Sequence, residues 1–86
     1  MVNKYNLQIG DRVRVLDEFN PTALGKVGTI IANRESGYVI GFFCGGVHSN
    51  YELEYFVDKY PGLKATWWYR YSGVEPAIEY TQNKFK

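Results

Sequence analysis

Cys44 and His48 stand four residues apart, a spacing that suits a shared metal ion or a thiol activated by an imidazole. Neither chemistry is complete. A structural zinc site takes four ligands, usually including thiolates, and this chain has one Cys and one His. A nucleophilic thiolate needs a base held in place by the fold, and the flexible Gly45-Gly46 pair between the two does not hold one. Cys44 therefore reads as a buried or loop cysteine without chemistry. Gly45-Gly46 lacks the Lys-Ser/Thr of a phosphate-cradling loop, and Gly25-Lys26-Val27-Gly28 is too short and opens a strand rather than a helix. Acid–base catalysis needs two acids in one pocket, whereas the nine Asp and Glu here are scattered, mostly beside basic residues. The sequence predicts no enzyme, no cofactor and no metal.

The elements that would position any site follow from periodicity. Arg12-Val13-Arg14-Val15-Leu16 alternates charged and apolar residues, which predicts a strand with Val13 and Val15 inward. Asp17 to Thr22 is a loop turned by Asn20-Pro21, and Thr29 to Ala32 resumes the sheet. Asn33 to Gly37 forms a turn. Tyr38 to Phe43 is a third strand, apolar on both faces, in which Gly41 marks a bulge or a tight bend. Ser49-Asn50-Tyr51-Glu52 fits a capping box, and Leu53, Phe56, Val57 and Tyr60 then form one apolar stripe before Pro61-Gly62 stops the pattern. These predict a helix at about residues 50–60, with Tyr51 and Tyr55 to the side of the stripe and partly exposed. Thr66 to Tyr71 is an aromatic strand, Ala77 to Tyr80 a closing strand, and Thr81 to Lys86 a frayed polar tail.

Gly10-Asp11, Val13-x-Val15 and Gly25-Lys26-x-Gly28-x-Ile30 together resemble the opening of KOW domains and of other small SH3-like barrels. The resemblance covers residues 9 to about 43, and the Val74-Glu75-Pro76 stretch resembles the close of such barrels, where a short last strand runs beside the first. It implies a mainly β fold, a single SH3-like, five-stranded barrel over residues 1–86; the helix departs from that pattern, inserted between strands three and four, where its apolar stripe is expected to cap one open end. KOW domains contact RNA or protein, so the resemblance implies a binding role. It also fits a bacterial or phage accessory protein that modulates a larger one.

Composition bounds the rest. Eighty-six residues with 45% apolar and 22% charged side chains fit one small globular domain. No apolar run approaches the roughly 20 residues of a membrane span, and MVNKYNLQIG has no secretory apolar core. A lone cysteine suits a reducing cytoplasm. The outstanding feature is the 17% aromatic content, with eight tyrosines. Tyrosine buries its ring and keeps a hydroxyl at the surface, which serves a small core and an interface equally.

Period two sets Trp67, Tyr69 and Tyr71 on one face of the aromatic strand and Trp68 with Arg70 on the other. One face is core; the other is a sticky exterior. The expectation is a protein partner held by Trp67, Trp68, Tyr69, Arg70 and Tyr71, extended by Tyr51 and Tyr55. The alternative is nucleic acid, contacted by Arg12, Arg14, Lys26 and Arg34. Asp11, Asp17, Glu18 and Glu35 cancel those cations nearly one for one, and the net charge is only +1, which favours protein.

Overall fold

In the computed structural model, which describes residues 6–17 and 21–77, the first alternating segment is strand β1 (Arg12–Val15), with Val13 and Val15 buried as predicted. Strands β2 (Val27–Arg34), β3 (Gly37–Phe42), β4 (Ala65–Arg70) and β5 (Val74–Pro76) complete one antiparallel sheet in the order β4-β3-β2-β1-β5. A short helix α1 (Leu53–Val57) lies between β3 and β4 in sequence, and a 3-10 turn (Tyr71–Gly73) joins β4 to β5. The fold is thus mainly β. Its last strand runs beside its first, pairing Val13 with Pro76, Arg14 with Glu75 and Val15 with Val74. That closing strand falls earlier than expected: Ala77 follows it, and residues 78–80 and the tail at 81–86 lie outside the described residues. The sheet is open, with β4 and β5 as its edges, rather than a ring of hydrogen-bonded strands. No helix among the described residues is long and apolar enough to cross a membrane.

Both faces of the sheet are built on. One core gathers Val13 and Val15, Ile30, Tyr38, Ile40 and Phe42, Ala65 and Tyr69, and Val74, so every strand contributes and the sheet curls around it. A second cluster holds Ile31, Val39, Leu63 and Phe56 of α1, flanked by Tyr51, Leu53, Tyr60 and Trp68. Val39 and Ile40 are consecutive on β3 and belong to different clusters, so the clusters lie on opposite sides. All six residues of β3 are buried, which explains why its sequence is apolar on both faces. Helix α1 therefore covers the second face of the sheet and does not cap an end of a barrel.

Three local expectations are corrected by this packing. The register irregularity sits on β2, between Ile30 and Ala32, not at Gly41. Gly41 instead admits the second cluster: a Cβ there would lie 2.8 Å from Leu63 Cδ1 and 3.2 Å from Ile31. The helix is five residues long, not eleven, and its capping box does not form. Residues 49–51 are drawn off by β4, through Thr66 N–H to the Ser49 carbonyl (3.3 Å) and Tyr51 N–H to the Thr66 carbonyl (2.9 Å). The Ser49 hydroxyl is left buried without a hydrogen-bond partner, and Glu52 takes a left-handed φ of 51° that turns the chain into α1.

The β2–β3 hairpin turns on Glu35 and Ser36, both with positive φ (49° and 64°), the backbone of the tight turn that suits the twist of a hairpin. Neither is glycine. Gly37 follows, and a Cβ there would collide with the Tyr69 carbonyl and stand 2.6 Å from the Trp68 ring. These neighbours should answer in opposite directions in urea unfolding. Ser36→Gly relieves a left-handed residue and raises stability by about 1 kcal/mol. Gly37→Ala drives a methyl into packed backbone and indole, lowering it by about 2 kcal/mol or more.

Candidate functional site

Because both sides of the sheet are covered, the aromatic strand does not divide into one buried row and one exposed row. Tyr69 is 1% exposed and belongs to the main core, so it is not a surface contact residue. Tyr71, just beyond β4, packs its ring 4.9 Å from that of Tyr38 and donates its hydroxyl to Asn33 Oδ1 (3.3 Å). Trp68 is half-buried in the second cluster, and its indole N–H donates to the Arg34 carbonyl at 2.8 Å. What remains open on β4 is Trp67, at 41% exposure, and Arg70.

Trp67 and Trp68 meet Tyr51 and Glu35 around a cleft of about 290 Å³. Each wall has a local cause. Tyr51 is held at the β4 edge by its backbone pairing with Thr66, and its carbonyl also accepts the Thr66 hydroxyl at 2.6 Å. Glu35 arrives at the tip of the β2–β3 hairpin. Nothing local in the sequence marks Glu35 as part of this cleft, since only the hairpin register (Gly37 opposite Arg70) carries it next to β4. Of the residues singled out in the sequence, Tyr51, Trp67 and Trp68 line this cleft, while Tyr69, Tyr71 and Tyr55 do not.

Tyr55 belongs to a neighbouring surface. Its ring is 51% exposed, 5.0 Å from the Phe56 ring in an edge-on arrangement, with Lys59 Nζ 4.7 Å from its centroid. The hydrogen bond and charge of Lys59 hold the Tyr55 phenol below its ordinary range, and the phenol in turn raises the Lys59 ammonium. Arg34 lies 6.0 Å from the Tyr55 ring and 5.4 Å from that of Phe56 while pairing with the Glu52 carboxylate. That pairing raises the guanidinium pKa further.

The four cations of the alternative reading do not form one surface. Arg12 and Arg14 pair with Thr29 and Val27 across the β1–β2 ladder, and Arg14 lies 3.7 Å from Glu75. Lys26 precedes β2 and Arg34 ends it, roughly 25 Å away along the strand. Arg12 shares a second cleft, of about 440 Å³, with Val27, Gly28, Thr29, Phe43 and Cys44. Cys44 is exposed there, while the backbone N–H of His48 donates to Thr22 Oγ1 (3.0 Å). Among the described residues no three His, Cys, Asp or Glu side chains gather as metal ligands.

Comparison with known proteins gives no match to a protein-family model, a curated protein or a solved structure. The Tyr55–Lys59 pair offers a check on the local electrostatics: Lys59→Ala removes the cation that favours phenolate, so the Tyr55 pKa should rise towards its ordinary value of 10.0. Tyrosine ring-carbon NMR titration of both proteins reads this shift, and an unmoved Tyr55 resonance would refute the pairing.

Proposed function

We propose that the chain is a non-enzymatic interaction module of SH3-like build that holds a protein partner against the cleft of Trp67, Trp68, Tyr51 and Glu35, with Arg70 beside it. The observation that carries this reading is Trp67, a large indole left 41% exposed at a sheet edge next to a second indole and a tyrosine. Rigid aromatic rings give contact area at low entropic cost, and an adjacent guanidinium orients a polar partner group. The placement of β1 between β2 and β5, together with the Gly10-Asp11 and Gly25-Lys26-x-Gly28 opening, supports the SH3-like reading, with the sheet curled but open. The same reading extends to a cytoplasmic accessory role in a bacterium or phage, supported by that resemblance and by a lone cysteine that is exposed and unbridged.

A KOW-like nucleic-acid reading has its own observation, the cleft that joins Arg12 to the 42% exposed ring of Phe43. It is the weaker of the two. Phosphate binding gains from uncompensated cations, and here Arg14 lies against Glu75 and Arg34 against Glu52. The two surfaces can be tested separately. Trp67→Ala with Arg70→Ala should cut recovery of bound protein from bacterial lysate by about tenfold, the effect of one interface anchor, while Arg12→Ala with Phe43→Ala leaves it unchanged. The reverse pattern, with tryptophan fluorescence responding to single-stranded nucleic acid at low salt, would overturn the proposal.

A further inference from the structure

Thr66 reveals which way the backbone of β4 faces. Its N–H bonds to the Ser49 carbonyl and its carbonyl accepts the Tyr51 N–H, so both groups point away from β3, and Asn50 pairs with Thr66 in a parallel bridge. Backbone groups alternate in direction along a strand. The N–H and C=O of Trp68 and the N–H of Arg70 therefore also point out of the sheet. Among the described residues the pairing of this edge stops at Thr66, because Glu52 swings the chain off into α1. The cleft lined by Glu35, Tyr51, Trp67 and Trp68 lies along this same stretch of edge.

We infer that an extended segment of the partner protein adds to the outer edge of β4, parallel to it, continuing the line that residues 49–51 begin. The inference rests on the partner-module reading and specifies how the partner is held. Unpaired N–H and C=O groups on a sheet edge are satisfied by another extended backbone, with side-chain pockets supplying the choice of sequence. The charges here define that sequence. Arg34 is neutralised by Glu52, whereas Arg70 is exposed with no ion pair among the described residues, at the end towards which a parallel strand runs. Glu35 lines the cleft and disfavours an acid inside it. The segment that fits places an apolar or basic residue in the cleft and an acidic residue two positions onward, the interval from Trp68 to Arg70 on one strand face. A second copy of β4 fits poorly: an antiparallel pair centred on Trp68 sets Arg70 of one copy opposite Thr66 of the other, where residues 49–51 already stand.

The test is selection of displayed random hexapeptides on the immobilised full chain. Enriched peptides are then synthesised with free backbones and with N-methyl groups on the amides that face β4. Enriched peptides should carry no proline in the paired positions and an acid two residues after an apolar or basic one. N-methylation should weaken binding by about tenfold or more, the loss of one or two hydrogen bonds. In the bound complex, hydrogen exchange at the Trp68 and Arg70 amides should slow by about tenfold or more on the same grounds. Failure to enrich any peptide, equal binding by the methylated forms, or dimerisation that protects those amides without peptide would overturn it. If Trp67→Ala with Arg70→Ala abolishes peptide binding while N-methylation does not, strand addition fails and the partner surface stands. If the double variant binds peptides unchanged, the partner surface fails too.

Discussion

Burial of β3 on both of its faces is the constraint from which the rest of this structure follows. Its six residues are all enclosed: Tyr38, Ile40 and Phe42 by the core that every strand shares, and Val39 by Ile31, Leu63 and Phe56. Each fully buried side chain of this size contributes roughly 1.5–3 kcal/mol of transfer free energy. A strand sealed in this way dictates the state of its neighbour. β4 runs antiparallel to it, register for register from Gly37–Arg70 to Phe42–Ala65, so its side chains also enter two cores rather than one. Tyr69 follows Tyr38 into the first, and Trp68 follows Val39 into the second. Trp67 is on the same side as Tyr69, yet it stays 41% exposed at the open edge of the sheet.

The second core also decides the fate of the segment before α1. Locally, Ser49 to Glu52 has the composition of a helix start, worth about 1 kcal/mol when the cap forms. Two backbone hydrogen bonds to Thr66 compete with it and win, together with the burial of Phe56 and the partial burial of Tyr51 and Leu53 against the sheet. The consequence is functional as well as structural. The same bridge that shortens the helix brings Tyr51 to the β4 edge, and the turn at Glu52 ends the bridge early enough to leave Trp68 and Arg70 facing outward.

What could be read in the sequence was what depends on near neighbours. The alternation of Arg12 to Val15, the turn before β3 and the helix between β3 and β4 follow from local patterns, whereas the short last strand beside the first came from the barrel resemblance and was expected three residues too late. The length of the helix was not legible, because a capping box does not record that its residues will pair with a strand fifteen positions on. Nor was the division of Trp67 to Tyr71. Period two gave the correct faces, but their burial depends on where α1 packs, and no residue of β4 encodes that. Glu35 read only as a counter-charge for the same reason: its place in the cleft depends on a hairpin laying its tip beside Trp68.

The central claim, a sheet with cores on both sides, is tested most directly at Val39, on the face away from the shared core and 0% exposed. Urea unfolding of Val39→Ala should show a loss of about 2 kcal/mol, as for a buried aliphatic truncated in a packed site. A loss below about 0.5 kcal/mol, the figure for a surface position, would mean that α1 does not seal the second face and would contradict the account.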